Sequence, residues 1–136
     1  MQNPPPVQTT KSSTGLDENV AALLSYLFGW VSGLIFFLIE KDSRLVKFHA
    51  MQSILLNGLA IVLGIVLWIA TFAFVIIGAA IGDIVGTLLS LIATLLWLVF
   101  GVGILIAAIM CLVKAFQGQY FKLPVIGNFA EKFSAK

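Results

Sequence analysis

The sequence predicts an all-α integral membrane bundle with three transmembrane helices, and three observations carry that reading. Apolar residues make up 60% of the 136-residue chain and charged residues 10%, against about 45–50% and about 25% in soluble domains. The mean hydropathy is +1.08. Three apolar runs are each long enough to cross a ~30 Å hydrocarbon core, which takes ~20 helical residues. Finally, the charges cluster between and after those runs instead of within them. A soluble domain of this size has no room to hide so much apolar surface, so the expected solvent is lipid.

Taken in order, residues 1–15 form a tail with Pro4, Pro5 and Pro6 and then polar residues. It lacks apolar periodicity and is expected to be disordered. Thr14 followed by Asp17 suggests a capping box at the start of a helix. The membrane domain is expected over residues 16–117. Its first span, about residues 20–39, contains no charge. At about 20 residues it exceeds a signal-peptide core, so a retained span is expected. Glu40, Lys41, Asp42, Arg44 and Lys47 close it.

Spans two and three are expected at about 54–82 and 84–113. Asp83 is the only charge between Ile54 and Val113. Gly78, Gly82 and Gly86 surround it, which places the turn there. Residues 118–136 form a C-terminal tail. Gly118 is suited to end the third helix, and Asn128 to cap a short interfacial helix carrying Phe129 and Phe133.

Orientation follows from the basic residues. Lys41, Arg44, Lys47, Lys114, Lys122, Lys132 and Lys136 are seven of the eight. With three spans they share one side, which is cytoplasmic by the positive-inside rule. The N-terminus is then expected outside. A net charge of +2 is too small to suggest nucleic acid. The bilayer is the expected partner, together with other membrane proteins or a second copy of the chain.

The residues with potential chemistry are few. On a helix entering span two, His49, Ser53 and Asn57 recur every fourth residue and share a face, with Gln52 beside them. This polar stripe descends ~12 Å at 1.5 Å per residue. Such side chains face protein or a cavity. They either bond to a neighbouring helix or line a polar path. In span one, Ser25, Gly29 and Gly33 form a small-residue stripe of the kind that lets helices approach closely. Cys111 is the only cysteine and reads as a small packing residue. Trp30, Trp68 and Trp97 read as packing or lipid-facing. One histidine and one cysteine leave no zinc ligand set, and no phosphate loop or nucleophile elbow appears. No catalytic residue, metal or cofactor is expected.

Two segments resemble a known family. The loop Glu40-Lys41-Asp42 leads into Phe48-His49-Ala50-x-Gln52-Ser53. Lys114-Ala115-x-x-Gly118 is followed by Leu123-Pro124-x-Ile126-Gly127. Both resemble a family of small bacterial and archaeal membrane proteins of unassigned activity, which implies a prokaryotic cytoplasmic membrane. That family is distantly similar to the twenty-kilodalton component of the chloroplast inner-envelope import (Tic) machinery, which has four spanning segments against the three expected here. The expected role is an interaction or scaffold component of the membrane. The alternative is a small channel or translocation element using the His49 stripe.

Overall fold

The computed structural model describes residues 11–134. The described residues form five helices: α1 Glu18–Leu27, α2 Trp30–Ile39, α3 Arg44–Ile81, α4 Asp83–Phe116 and α5 Ile126–Ser134. It divides into two compact units, Met1–Gly58 with Ala107–Lys136, and Leu59–Ile106.

The first apolar run is not one helix. It is two ten-residue helices, α1 and α2, each ~15 Å long at 1.5 Å per residue. The break falls at Phe28–Gly29. Gly29 takes φ +64 and ψ −139, a region open to glycine and costly for any side chain. Ser32 serves the break from the next turn, its hydroxyl accepting the Phe28 N–H at 3.1 Å. The Gly29 N–H donates back to the Tyr26 carbonyl. Among the described residues two helices, against the three expected, are therefore long and apolar enough to cross a membrane: α3 with 38 residues and α4 with 34.

The turn between α2 and α3 is short and tightly tied. Ser43 caps α3 with its hydroxyl, which accepts the Val46 N–H at 3.3 Å. The N-terminus of α1 differs from its expected capping box. Asp17 precedes the helix without a side-chain cap, and Thr14 bonds to Ser12.

Residues of α3 and α4 that fall in Leu59–Ile106 form the second unit, a helical hairpin. Gly82, at φ +133, is the single residue between the helices. A Cβ placed on Gly78 would lie 2.7 Å from the Gly86 Cα, so the two backbones touch beside the turn. Large apolar side chains such as Val62, Val66, Trp68, Leu95 and Val99 point outward and are exposed. A core helix of a soluble protein would bury that face. Here it matches hydrocarbon.

In the first unit, α4 ends in a Schellman motif: Gly118 (φ +71) donates to the Ala115 carbonyl and Gln119 to that of Lys114. The chain then runs extended to Pro124. Val125, at φ +67, forms a tight turn in which the Ile126 N–H donates to the Pro124 carbonyl at 2.7 Å. Helix α5 begins there, two residues before the expected cap Asn128. Gly127 is a close-approach position, since a Cβ there would collide with the Cβ and backbone of Lys122.

Candidate functional site

The buried polar residues of the first unit gather into two clusters. The larger centres on His49 and Gln52, both fully buried on α3. His49 Nε2 lies 2.7 Å from the Gln119 carbonyl. A carbonyl only accepts, so Nε2 carries the proton. His49 Nδ1 then accepts from the Tyr26 hydroxyl at 2.8 Å. The same Tyr26 oxygen accepts from Gln52 Nε2 at 3.0 Å. Gln52 Nε2 also donates to the Phe121 carbonyl at 2.8 Å, and Gln52 Oε1 accepts the Leu123 N–H at 3.2 Å. Cys111 Sγ is 3.5 Å from Gln52 Nε2 and is buried.

The geometry explains why an extended segment follows α4. In extended backbone, alternate residues present their polar groups to the same side. The carbonyls of Gln119 and Phe121 and the N–H of Leu123 all meet α3 this way. Two side chains one helical turn apart thus bind one edge of that segment. The neutral Nε2–H tautomer of His49 satisfies every partner. A second ring proton would turn Nδ1 into a donor and displace the Tyr26 hydroxyl from its acceptor.

The second cluster is a clasp around Glu40, whose side chain is 1% exposed. Its Oε1 accepts from Ser13 Oγ at 2.6 Å, Ser13 N at 3.0 Å, Asp42 N at 3.0 Å and Ser43 N at 2.9 Å. Burial pushes this carboxyl up, but the hydrogen bonds from Ser13, Ser43 and Asp42 outweigh it and hold the pKa down to about 2. Lys41 contributes only its backbone N–H, to Ser13 Oγ at 2.8 Å. Lys41 and Asp42 are exposed. Among the described residues the salt bridge is elsewhere, between Lys122 and Glu131.

The stripe His49-Ser53-Asn57 does not act as one line. His49 turns to Tyr26 and the extended segment, whereas Ser53 Oγ donates to the Gly29 carbonyl at 3.1 Å. Asn57 Nδ2 bonds to the Ser53 carbonyl, and a Cβ on Gly29 would lie 3.2 Å from Asn57 Oδ1. Of the small-residue stripe, Gly33 packs directly on α3: a Cβ there would meet the Ala50 carbonyl at 2.9 Å. Gly29 sits in the break, and Ser25 bonds within α1 to the Ala22 carbonyl. Tyr26 and Ser13 escaped sequence reasoning. Tyr26 lies in an apolar run, and Ser13 in a polar tail 27 residues before its partner.

A cavity of about 500 Å³ in the second unit is lined by Thr71, Gly78, Gly86, Ser90, Thr94 and Trp97 among others. Its hydroxyls are occupied. Ser90, Thr94 and Thr71 donate to carbonyls of their own helices, and Trp97 Nε1 donates to Thr71 Oγ1. Among the described residues no three His, Cys, Asp or Glu side chains gather as a metal ion would require.

The chain is similar to archaeal membrane proteins over nearly its whole length. It is 42% identical to a UPF0132 membrane protein of Methanocaldococcus jannaschii over 91% of this chain and 94% of that protein. It is 41% identical to one of Archaeoglobus fulgidus, covering 86% of this chain and 95% of that protein. No solved structure matches it. With these relatives and its two long apolar helices, the chain is a membrane protein. The model of the magnetosome magnetite crystal formation protein family matches residues 16–130, and the chain belongs to that family.

Proposed function

We propose that the protein is a non-conducting interaction or scaffold component of the membrane, in which the His49–Gln52 cluster serves as an internal lock. The observation that carries this is the complete pairing of those two side chains. Both ring nitrogens of His49 and both ends of the Gln52 amide bond to protein groups. A proton or ion path needs side chains that exchange partners with water or cargo. These hold one backbone segment in place. The family's description names magnetite crystal formation in magnetosomes. A membrane component onto which others assemble is compatible with that process.

Purified protein in liposomes is expected to pass no protons or cations above the background of empty vesicles. Gentle detergent extraction is expected to yield an assembly larger than one 14.7 kDa chain in its micelle. A flux abolished by His49→Gln would overturn the scaffold reading in favour of transport. A strictly monomeric extract would remove its assembly role.

A further inference from the structure

We infer that α1 and α2 form a re-entrant hairpin that enters one leaflet of the bilayer and returns, so that both ends of the first apolar run lie on the cytoplasmic side. The occupant of its outer face is the acyl chains of that leaflet.

Four observations converge. The two ends of the run are held together: Ser13, before α1, bonds through its N–H and hydroxyl to Glu40, after α2. A chain that had crossed the membrane between these residues would hold them ~30 Å apart. The start of α1 is also tied to the end of α4, where Asn19 Nδ2 donates to the Phe116 carbonyl at 3.0 Å.

The reach of the hairpin is about half a bilayer. Its bend meets Ser53 and Asn57 on α3. Those residues lie ~14 and ~20 Å along the helix from Arg44 at 1.5 Å per residue.

The bend is dressed for lipid. Leu27, Phe28 and Trp30 are 53, 74 and 50% exposed, and α2 continues outward with Ile35, Leu38 and Ile39. Non-helical backbone at membrane depth is tolerated only when its polar groups are satisfied by protein. Here the Phe28 N–H goes to Ser32 Oγ and the Gly29 N–H to the Tyr26 carbonyl. The Gly29 carbonyl accepts from Ser53 Oγ.

Charge supports the same side. With three spans, Lys11 is the one basic residue set apart from the other seven. With a re-entrant hairpin and two spans, all eight lie together, as the positive-inside rule favours. The N-terminus is then inside, opposite to its expected side.

The test is cysteine accessibility in intact cells, in a Cys111→Ser background, with single variants Lys11→Cys, Lys41→Cys and Asp83→Cys. Positions 11 and 41 are expected to resist an impermeant maleimide and to react after permeabilisation, while position 83 reacts from outside. Labelling of 11 with protection of 41 restores a full first span and overturns the inference. Like behaviour of 41 and 83, both labelled or both protected, overturns the two crossings it needs, and labelling of 11 and 41 with protection of 83 overturns the cytoplasmic side.

A second measurement uses Phe28→Cys carrying a fluorophore in liposomes of brominated phosphatidylcholine. Quenching strongest for bromines deep in the acyl chain is expected. No quenching would show that another protein surface or water, not lipid, covers the bend.

Discussion

The two units are built from the same pair of long helices yet are stabilised in different ways. In the first, polar side chains reach across the sequence: His49, Gln52 and Glu40 bond to groups 70, 69 and 27 residues away. In the second, Thr87, Ser90 and Thr94 bond to carbonyls three or four residues back on the same helix, and apolar side chains face outward. The first unit specifies one arrangement of several segments. The second specifies a close helix pair at Gly78 and Gly86 and carries a single side-chain bond between the helices among the described residues, from Trp97 Nε1 to Thr71 Oγ1. The difference teaches where substitutions should matter: polar atoms with remote partners define the tertiary structure, and polar atoms with local partners merely make lipid exposure tolerable.

The sharpest way to break this contrast is Gln52→Leu. It strands the Phe121 carbonyl, the Leu123 N–H and the Tyr26 hydroxyl oxygen in a buried place. At about 1–3 kcal/mol per orphaned group, a loss of at least ~3 kcal/mol is expected. Thermal unfolding in detergent should show it, and hydrogen exchange should report release of residues 119–123. Retained protection there would mean the segment is held by something other than Gln52.

Gly33→Leu comes next, because its side chain must enter where the Ala50 carbonyl would lie 2.9 Å from the Cβ. Overpacking of this kind costs about 1–3 kcal/mol. Gly29→Ala should act through backbone conformation instead, at about 1–3 kcal/mol for a side chain held at φ +64 and ψ −139. Wild-type stability in Gly29→Ala would show that the bend tolerates a different backbone.

Glu40 gives a pH signature. Its carboxyl is held at about 2 in the folded chain, below its ordinary value of 4.5. A depressed acid contributes stability that is complete above the unfolded value and fades as pH falls through the folded one. Stability should therefore decline between about pH 4.5 and pH 2, and Glu40→Gln should flatten that slope while lowering stability near neutrality by about 2 kcal/mol. The smallest effect is expected for Ser90→Ala in the second unit, within about 0.5 kcal/mol of wild type. A larger loss would show that the hydroxyl has a partner beyond its own helix.

Composition and hydropathy carried the helical membrane class because they depend only on what solvates the chain. The polarity of His49, Gln52 and Ser53 within an apolar run was equally visible. Their partners were not, since three of them are backbone groups at positions 119, 121 and 123, and a backbone group leaves no mark in sequence. Gly29 misled for a related reason. Its four-residue spacing from Ser25 and Gly33 fits a packing stripe in a continuous helix, and nothing in that spacing reports a positive φ. Glu40 has Lys41 and Arg44 close by in sequence, which says nothing of backbone partners. The backbone N–H groups of Asp42 and Ser43 were nearer and already aimed at it.

The extended segment after α4 has a consequence for biosynthesis. Chains emerge N-terminus first, so Tyr26, His49 and Gln52 are made long before the carbonyls and N–H that complete their bonds. Until residues 119–123 leave the ribosome, His49 Nε2, Gln52 Oε1 and one Gln52 N–H lack their permanent partners, and the early helices must wait with those polar atoms on water or on the insertion machinery. A nascent chain stalled before Gln119 should thus be far more protease-sensitive around α1 and α2 than one released only a few residues later.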